Sequence, residues 1–309
     1  MVSNARPLAI LASYMVTAAV LTIRCIGIVR RHPTQKAKRS AASLALFGSL
    51  AAISLATTWS YMFGYFRWSY FDWAANAAPN ATADGELHLG EWLRDTSLFK
   101  QAWFFALETP ARAWWTLQIF GFCAIWSVML SVQAKKRSIP QIWAFMLLGQ
   151  IVAISFASNL FFLAVLVHDV KDDKKTAETQ RKTPSRTSDV LTLLVNLAVT
   201  LFLFGNVDSP YFLTLLLAPH VLAFVPMLRD GLSSNSIGSS QLREPSKVLQ
   251  FGILAAVLAA GTSQAIASGE SWQSILDTLY EHPAVSSVGW DVICCWVSYT
   301  AWFLVRDSE

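Results

Sequence analysis

The sequence predicts an all-α, polytopic transmembrane helical bundle of about eight spanning helices plus one short interfacial helix. Three observations predict it. Hydrophobic residues make up 54% of the 309-residue chain and charged residues only 14%, against roughly 25% charged in soluble domains. The missing charge is concentrated in apolar runs of about 20 residues, the length that crosses a hydrocarbon core. Backbone that faces lipid must satisfy its own hydrogen bonds, so those runs are read as helices. One bundle accounts for residues 1–309, and no repeat of about 20–50 residues recurs.

The first run, Leu8–Val29, ends in Arg30 and Arg31. It is longer than a signal-peptide core and is followed by no small-residue cleavage site, so it is expected to remain. A basic stretch to Ser40 leads into the second run, Ala41–Phe66. Loop 69–101 follows, with the acceptor sequon Asn80-Ala81-Thr82. At its end Asp95 or Thr96 suits the N-cap of a short aromatic helix over Ser97–Leu107, placed in the membrane interface.

Thr109-Pro110 is a stronger start signal, because Thr caps and proline at the first helical position gives up no needed hydrogen bond. The third run therefore spans Pro110–Val132 and ends at Lys135, Lys136 and Arg137. The fourth is Gln141–Val167, followed by a charged loop over 170–189. The fifth, Val190–Gly205, is the shortest, and a tight turn at Asn206–Pro210 leads to the sixth, Tyr211–Leu228. The serine-rich stretch 229–247 is expected to be a mobile loop. Val248–Ser268 and Val288–Val305 complete the set.

Orientation is only partly readable. The basic loops 30–40 and 133–138 belong in the cytosol by the positive-inside rule. Loop 69–101 then faces the lumen, where Asn80 could be glycosylated. Continuing the alternation puts both termini in the lumen, but it also puts the lysines and arginines of 170–189 there. An extra or missing half-helix would remove that conflict.

The net charge of +4 comes from these short basic runs and reads as membrane topology, with no nucleic-acid partner. The cysteines Cys25, Cys123, Cys294 and Cys295 lie in apolar runs without zinc-ligand spacing and read as small apolar residues. Nucleophile elbow, Walker loop, HExxH, dinucleotide fingerprint and DDxxD are all lacking, so no metal and no cofactor is expected.

The informative region is Gly90–Asp169. Glu108 stands just outside a helix N-terminus. Arg112, Trp115, Ile119, Phe122 and Trp126 share one helical face below it. That strip is read either as interfacial anchoring or as an acid at the mouth of an aromatic cavity. In the fourth run Gln150 and His168 point the same way, roughly 27 Å apart along the axis, and Asn159 points to the opposite face. His168 is either a solvated helix end or part of a proton relay. His168 and Asp169 are expected at the same end as Glu108. His220 beside Pro219, Asp291 as a helix cap, and Asp72 are weaker leads, and His88 and His282 are isolated loop residues.

The stretch from Trp92 to Trp103 (WLRDTSLFKQAW), with Glu108 to Trp115 (ETPARAWW) and Asn159 to Asp169 (NLFFLAVLVHD), resembles the membrane-bound terpene cyclase family of the fungal ascofuranone (meroterpenoid) pathway. The resemblance covers mainly residues 90–169, about a quarter of the chain. It implies acid-initiated cyclisation of an epoxidised prenyl chain in meroterpenoid, secondary-metabolite biosynthesis. The partners it implies are a lipophilic prenylated substrate and the bilayer, in the endoplasmic reticulum or endomembranes. Epoxide opening needs one positioned acid rather than a metal, and the resulting cation needs π faces. By position and chemistry, Glu108, Asp95, Asp169 and Arg112 are the catalytic candidates. Trp103, Trp115, Phe122, Asn159 and His168 are the substrate-binding candidates. The competing readings are a lipid or sterol carrier or transporter, and a structural membrane protein without a ligand.

Overall fold

The computed structural model describes residues 4–30, 41–76, 87–168, 187–206, 209–232 and 244–308. It is all-helical, with no strand among the described residues. Five helices are long and apolar enough to cross a membrane: α1 (Ala5–Arg30), α2 (Ala41–Asn76), α5 (Pro110–Arg137), α11 (Lys247–Ala267) and α13 (Pro283–Ser308). Between them lie the shorter α3 (Leu89–Asp95), α4 (Leu98–Leu107), α6 (Ile142–Ile151), α7 (Ile154–Val167), α8 (Thr187–Phe204), α9 (Phe212–Leu222), α10 (Val225–Leu232) and α12 (Trp272–Glu281). The chain is an integral membrane protein. Its outward helix faces carry apolar side chains such as Val16, Val20, Ile23 and Ile53, which suit lipid rather than water.

α5 is the axis of the bundle, and its apolar stretch is buried along its whole length. It starts where the sequence says. Thr109 is its N-cap, its hydroxyl accepting from the Arg112 amide at 3.3 Å, and Pro110 occupies the first turn. At its other end Ser138 adopts a left-handed conformation and closes the helix. α13 packs between α2, α5 and α7, and α11 lies against α5.

The fourth apolar run departs from expectation. Instead of one spanning helix over Gln141–Val167 it forms two short helices, α6 and α7, broken at Val152–Ala153. Contacts fix their directions. Trp143, at the start of α6, lies against Arg24 near the end of α1. Ile151, at the end of α6, receives a hydrogen bond from the Tyr14 hydroxyl, well inside α1. α7 then runs back. Ser155 meets Asp291, Asn159 meets Ser298, and Phe162 stacks on Trp302, each pair further along α13. The carbonyl of Val165 ends beside the Arg137 guanidinium, at the close of α5. α6 and α7 are therefore a hairpin whose two ends lie at the same end of the bundle.

The hairpin tip is satisfied by other helices. Asp291 accepts from the amides of Ile154 and Ser155 at 3.0 and 2.8 Å, capping α7, and Tyr14 donates to the Ile151 carbonyl at 3.0 Å. A broken helix in an apolar interior needs such partners for its freed backbone groups. Gly149 allows the approach to α5: a Cβ there would stand 2.5 Å from the indole of fully buried Trp126.

The hairpin reverses everything after it. α8 starts, and α10 ends, beside the Asp189–Arg229 ion pair. Ser246 starts α11 close to Glu244, which is held by Gln133 and Arg306. Arg30, Arg137, Arg229, Lys247 and Arg306 thus share one end of the molecule, hereafter the basic end. The opposite, aromatic end carries the start of α1, the last turns of α2, α3, α4 and α12. The chain begins at the aromatic end and α13 finishes at the basic end. This corrects the expectation of both termini on one side. α2 also outruns its predicted limit at Phe66 and continues to Asn76. Its extra turns bury Ser69, Tyr70 and Trp73 against Trp92 of α3.

Candidate functional site at the aromatic end

Three elements meet around Arg112. Its Nη1 donates to Glu108 Oε2 at 2.6 Å, and its Nη2 and Nε donate to both oxygens of Glu281 at 2.8 and 3.2 Å. Glu108 lies in the link between α4 and α5, and Glu281 is the last residue of α12. The Arg112 side chain is 12% exposed, whereas those of Glu108 and Glu281 are 40% and 54% exposed. The two hydrogen bonds from Arg112 hold the Glu281 carboxyl below the usual carboxylate range. One guanidinium thus joins carboxyl groups from two different elements.

Next to the fork stands His282, the residue between α12 and α13. It is buried and enclosed by rings: Trp68 at 4.4 Å, Phe105 at 4.5 Å and stacked, and Tyr65 at 5.9 Å. Its Nδ1 accepts the Ala284 amide at 3.2 Å, so the side chain caps the first turn of α13. Nε2 is buried with no hydrogen-bond partner. Burial first, and the Arg112 charge second, push the imidazole down to about 4, with Glu281 opposing. Beyond Trp68 an open depression is lined by Gly64, Arg67, Phe71 and Asp72.

The remaining sequence candidates are distributed around the molecule. Asp95 lies at the end of α3, bound to its neighbour Arg94 at 2.8 Å, which holds its carboxyl low. Asp169 and Asn80 lie outside the described residues. His168 is at the basic end, its Nδ1 within 2.8 Å of the Ala164 carbonyl. The expectation that His168 joins Glu108 at one end is therefore wrong, because the hairpin turns α7 around. Asn159 sits inside the bundle, donating to Ser298 at 2.8 Å and to the Ser155 carbonyl at 2.9 Å. It binds α7 to α13.

The strip below Arg112 is packed rather than open. Trp115 donates to the Ile275 carbonyl of α12 at 3.0 Å. Phe122 lies between Trp296 and Tyr299 of α13. Trp126 fits against Gly149. Trp103 stacks on Phe120 and meets the edge of His220, which contacts Gln150 at the hairpin.

Glu281 and His282 escaped sequence reasoning as site residues. They follow an amphipathic stretch, Trp272–Glu281, with Ile275, Thr278 and Leu279 on its buried side. That pattern marks a helix lying along the bundle end, but nothing in it names Arg112 as the partner. Among the described residues no cluster of His, Cys, Asp and Glu is suited to hold a metal ion. Compared with family models, curated proteins and solved structures, the chain matches none.

Proposed function

We propose that the protein is a membrane-bound terpene cyclase that opens the epoxide of a prenylated substrate by proton transfer in meroterpenoid-type secondary metabolism. The observation that supports this reading is the gathering of Glu108, Arg112, Glu281 and His282 beside the rings of Trp68, Phe105 and Tyr65. Acid-initiated cyclisation asks for that combination: a proton source next to π faces that stabilise a cation by roughly 0.5–2 kcal/mol each. Arg112 gives two of its hydrogen bonds to Glu281 and one to Glu108, so Glu108 is assigned as the carboxyl that carries the proton. It passes that proton to the epoxide oxygen as the carbon–oxygen bond breaks. An alkene of the chain attacks the electron-poor carbon, the last cation loses a proton to water to form a double bond, and the half-exposed Glu108 carboxylate regains its proton from solvent. The product is an isomer of the substrate.

In this reading the chain makes seven crossings, with α9 and α10 sharing one, and α6–α7 enters and leaves from the basic side. The positive-inside rule puts the basic end in the cytosol and the aromatic end in the lumen of the endoplasmic reticulum. Asn80 is then a lumenal glycosylation site.

Microsomes bearing the protein should convert an epoxyfarnesyl-substituted phenol into a cyclic product of equal mass, read by chromatography and mass spectrometry. Glu108→Gln should lower conversion by about 10² or more, and Trp68→Ala should alter the product mixture. No conversion by the folded wild type, or near-normal conversion by Glu108→Gln, overturns the assignment. The hairpin favours one second reading, a carrier, because transporters use broken helices at their binding sites. Tight retention of the unchanged epoxide would support it.

A further inference from the structure

We infer that His282 is a ligand-binding residue whose Nε2–H donates a hydrogen bond to an ether-type oxygen on an otherwise apolar molecule. The ligand would lie against Trp68 and Phe105. The inference rests on the cyclase reading only for choosing a prenyl chain as that molecule.

The tautomer is set by the fold. Pro283 opens α13, and the first free amide of that helix, on Ala284, points at Nδ1 of His282. An accepting Nδ1 carries no proton, so a neutral ring has its proton on Nε2. The ring is neutral over the ordinary pH range, since burial and Arg112 bring it down to about 4. The charged and titratable groups facing it are Arg112 and Glu281, both committed to the fork, and the Tyr65 hydroxyl, which donates to the Leu98 carbonyl.

What remains is a donor without an acceptor. Nε2 is buried among three aromatic rings and has no partner. A buried donor left unpaired costs roughly 1–3 kcal/mol, and buried polar groups are almost always satisfied. The ligand that satisfies this one must bring an acceptor oxygen and tolerate aromatic surfaces on its other sides. A charged phosphate or carboxylate does not suit the position, because Arg112, the cation beside it, is already committed to two carboxyl groups. An ether or epoxide oxygen does, and a neutral imidazole N–H polarises such an oxygen without giving up its proton. Trp68, one wall of the cage, also lines the open depression over Gly64, Arg67, Phe71 and Asp72.

The test compares two probes on the purified full-length protein in detergent: farnesylphenol with a terminal methyl ether, and farnesylphenol itself. Neither can undergo epoxide opening. Wild type should bind the ether about tenfold more tightly by fluorescence titration, the worth of one net hydrogen bond. His282→Asn keeps a capping side chain for α13 but does not reach into the cage. It should bind the two probes alike, the ether having lost its advantage. His282→Gln, whose amide extends further, should recover part of the preference. The preference should stay flat between about pH 5 and 8, because the ring does not titrate there. Equal binding of the two probes by wild type, or a preference that survives in His282→Asn, overturns the inference. A wild type that shows the preference yet cyclises no epoxide leaves this inference standing and removes the cyclase reading. A wild type that cyclises the epoxide without the preference does the reverse.

Discussion

At the scale of single residues the site is governed by where charge is allowed to sit. Arg112 is nearly enclosed while its two carboxylates reach water. Partly exposed pairs of this kind contribute at most about 1 kcal/mol each, so the fork orients groups more than it stabilises the fold. His282 works in the other direction. Its folded-state pKa lies near 4, below the ordinary histidine value of 6.5. Between those two values the unfolded chain binds a proton that the folded chain does not. Stability is therefore fully present above about pH 6.5 and falls as the pH drops toward 4, by at most about 3 kcal/mol. Thermal unfolding in detergent at pH 7.5, 6, 5 and 4.5 should show this slope. In His282→Asn the slope should be shallower. Parallel curves for the two proteins would mean that the caged ring is already charged. The pairing itself was not legible in the sequence. Glu281 lies 169 residues beyond Arg112, and a lone Glu-His at the end of an amphipathic stretch carries no sign of its partner.

At the scale of elements, local chemistry was readable and distant chemistry was not. Thr109-Pro110 announces its helix because cap and proline act within one turn, and the structure shows that cap. Thr109→Ala should accordingly lower stability by about 1 kcal/mol. The break between α6 and α7 has no such mark. Residues 141–167 form an unbroken apolar run with no internal proline, and by length alone it reads as one span. What breaks it comes from elsewhere in the chain: Asp291 on the amides of Ile154 and Ser155, and Tyr14 on the carbonyl of Ile151. In the sequence Asp291 reads as the cap of its own helix, yet it lies two turns inside α13 and caps another. Asp291→Asn retains the shape but replaces one acceptor oxygen by a donor facing an amide. It should destabilise by roughly 1–3 kcal/mol, measured as a shift in the thermal midpoint, and by more than Thr109→Ala. Equal midpoints for the two variants would show that the tip does not depend on Asp291.

At the scale of the whole molecule, the hairpin decides on which side half of the chain lies. Read as eight alternating spans, the sequence puts the basic residues of 170–189 on the side opposite the other basic loops. In the structure both flanks of that segment, Val167 and Thr187, stand at the basic end. Val165 contacts Arg137, and Asp189 contacts Arg229. One buried turn thereby makes the charge asymmetry consistent along the chain, as the positive-inside rule requires. The native cysteines are all buried, so single introduced cysteines can report sidedness with a membrane-impermeant maleimide. Lys135→Cys and Thr187→Cys should label from the same side of sealed microsomes, and Glu91→Cys and Gln273→Cys only after the membrane is opened. The informative pair is Lys135 and Thr187. If α6–α7 turns back, an even number of crossings separates them and they label together. If residues 141–167 cross the membrane once, Thr187→Cys labels with Glu91→Cys instead. That outcome would return His168 to the end that holds Glu108, and with it the possibility that the two act on one substrate.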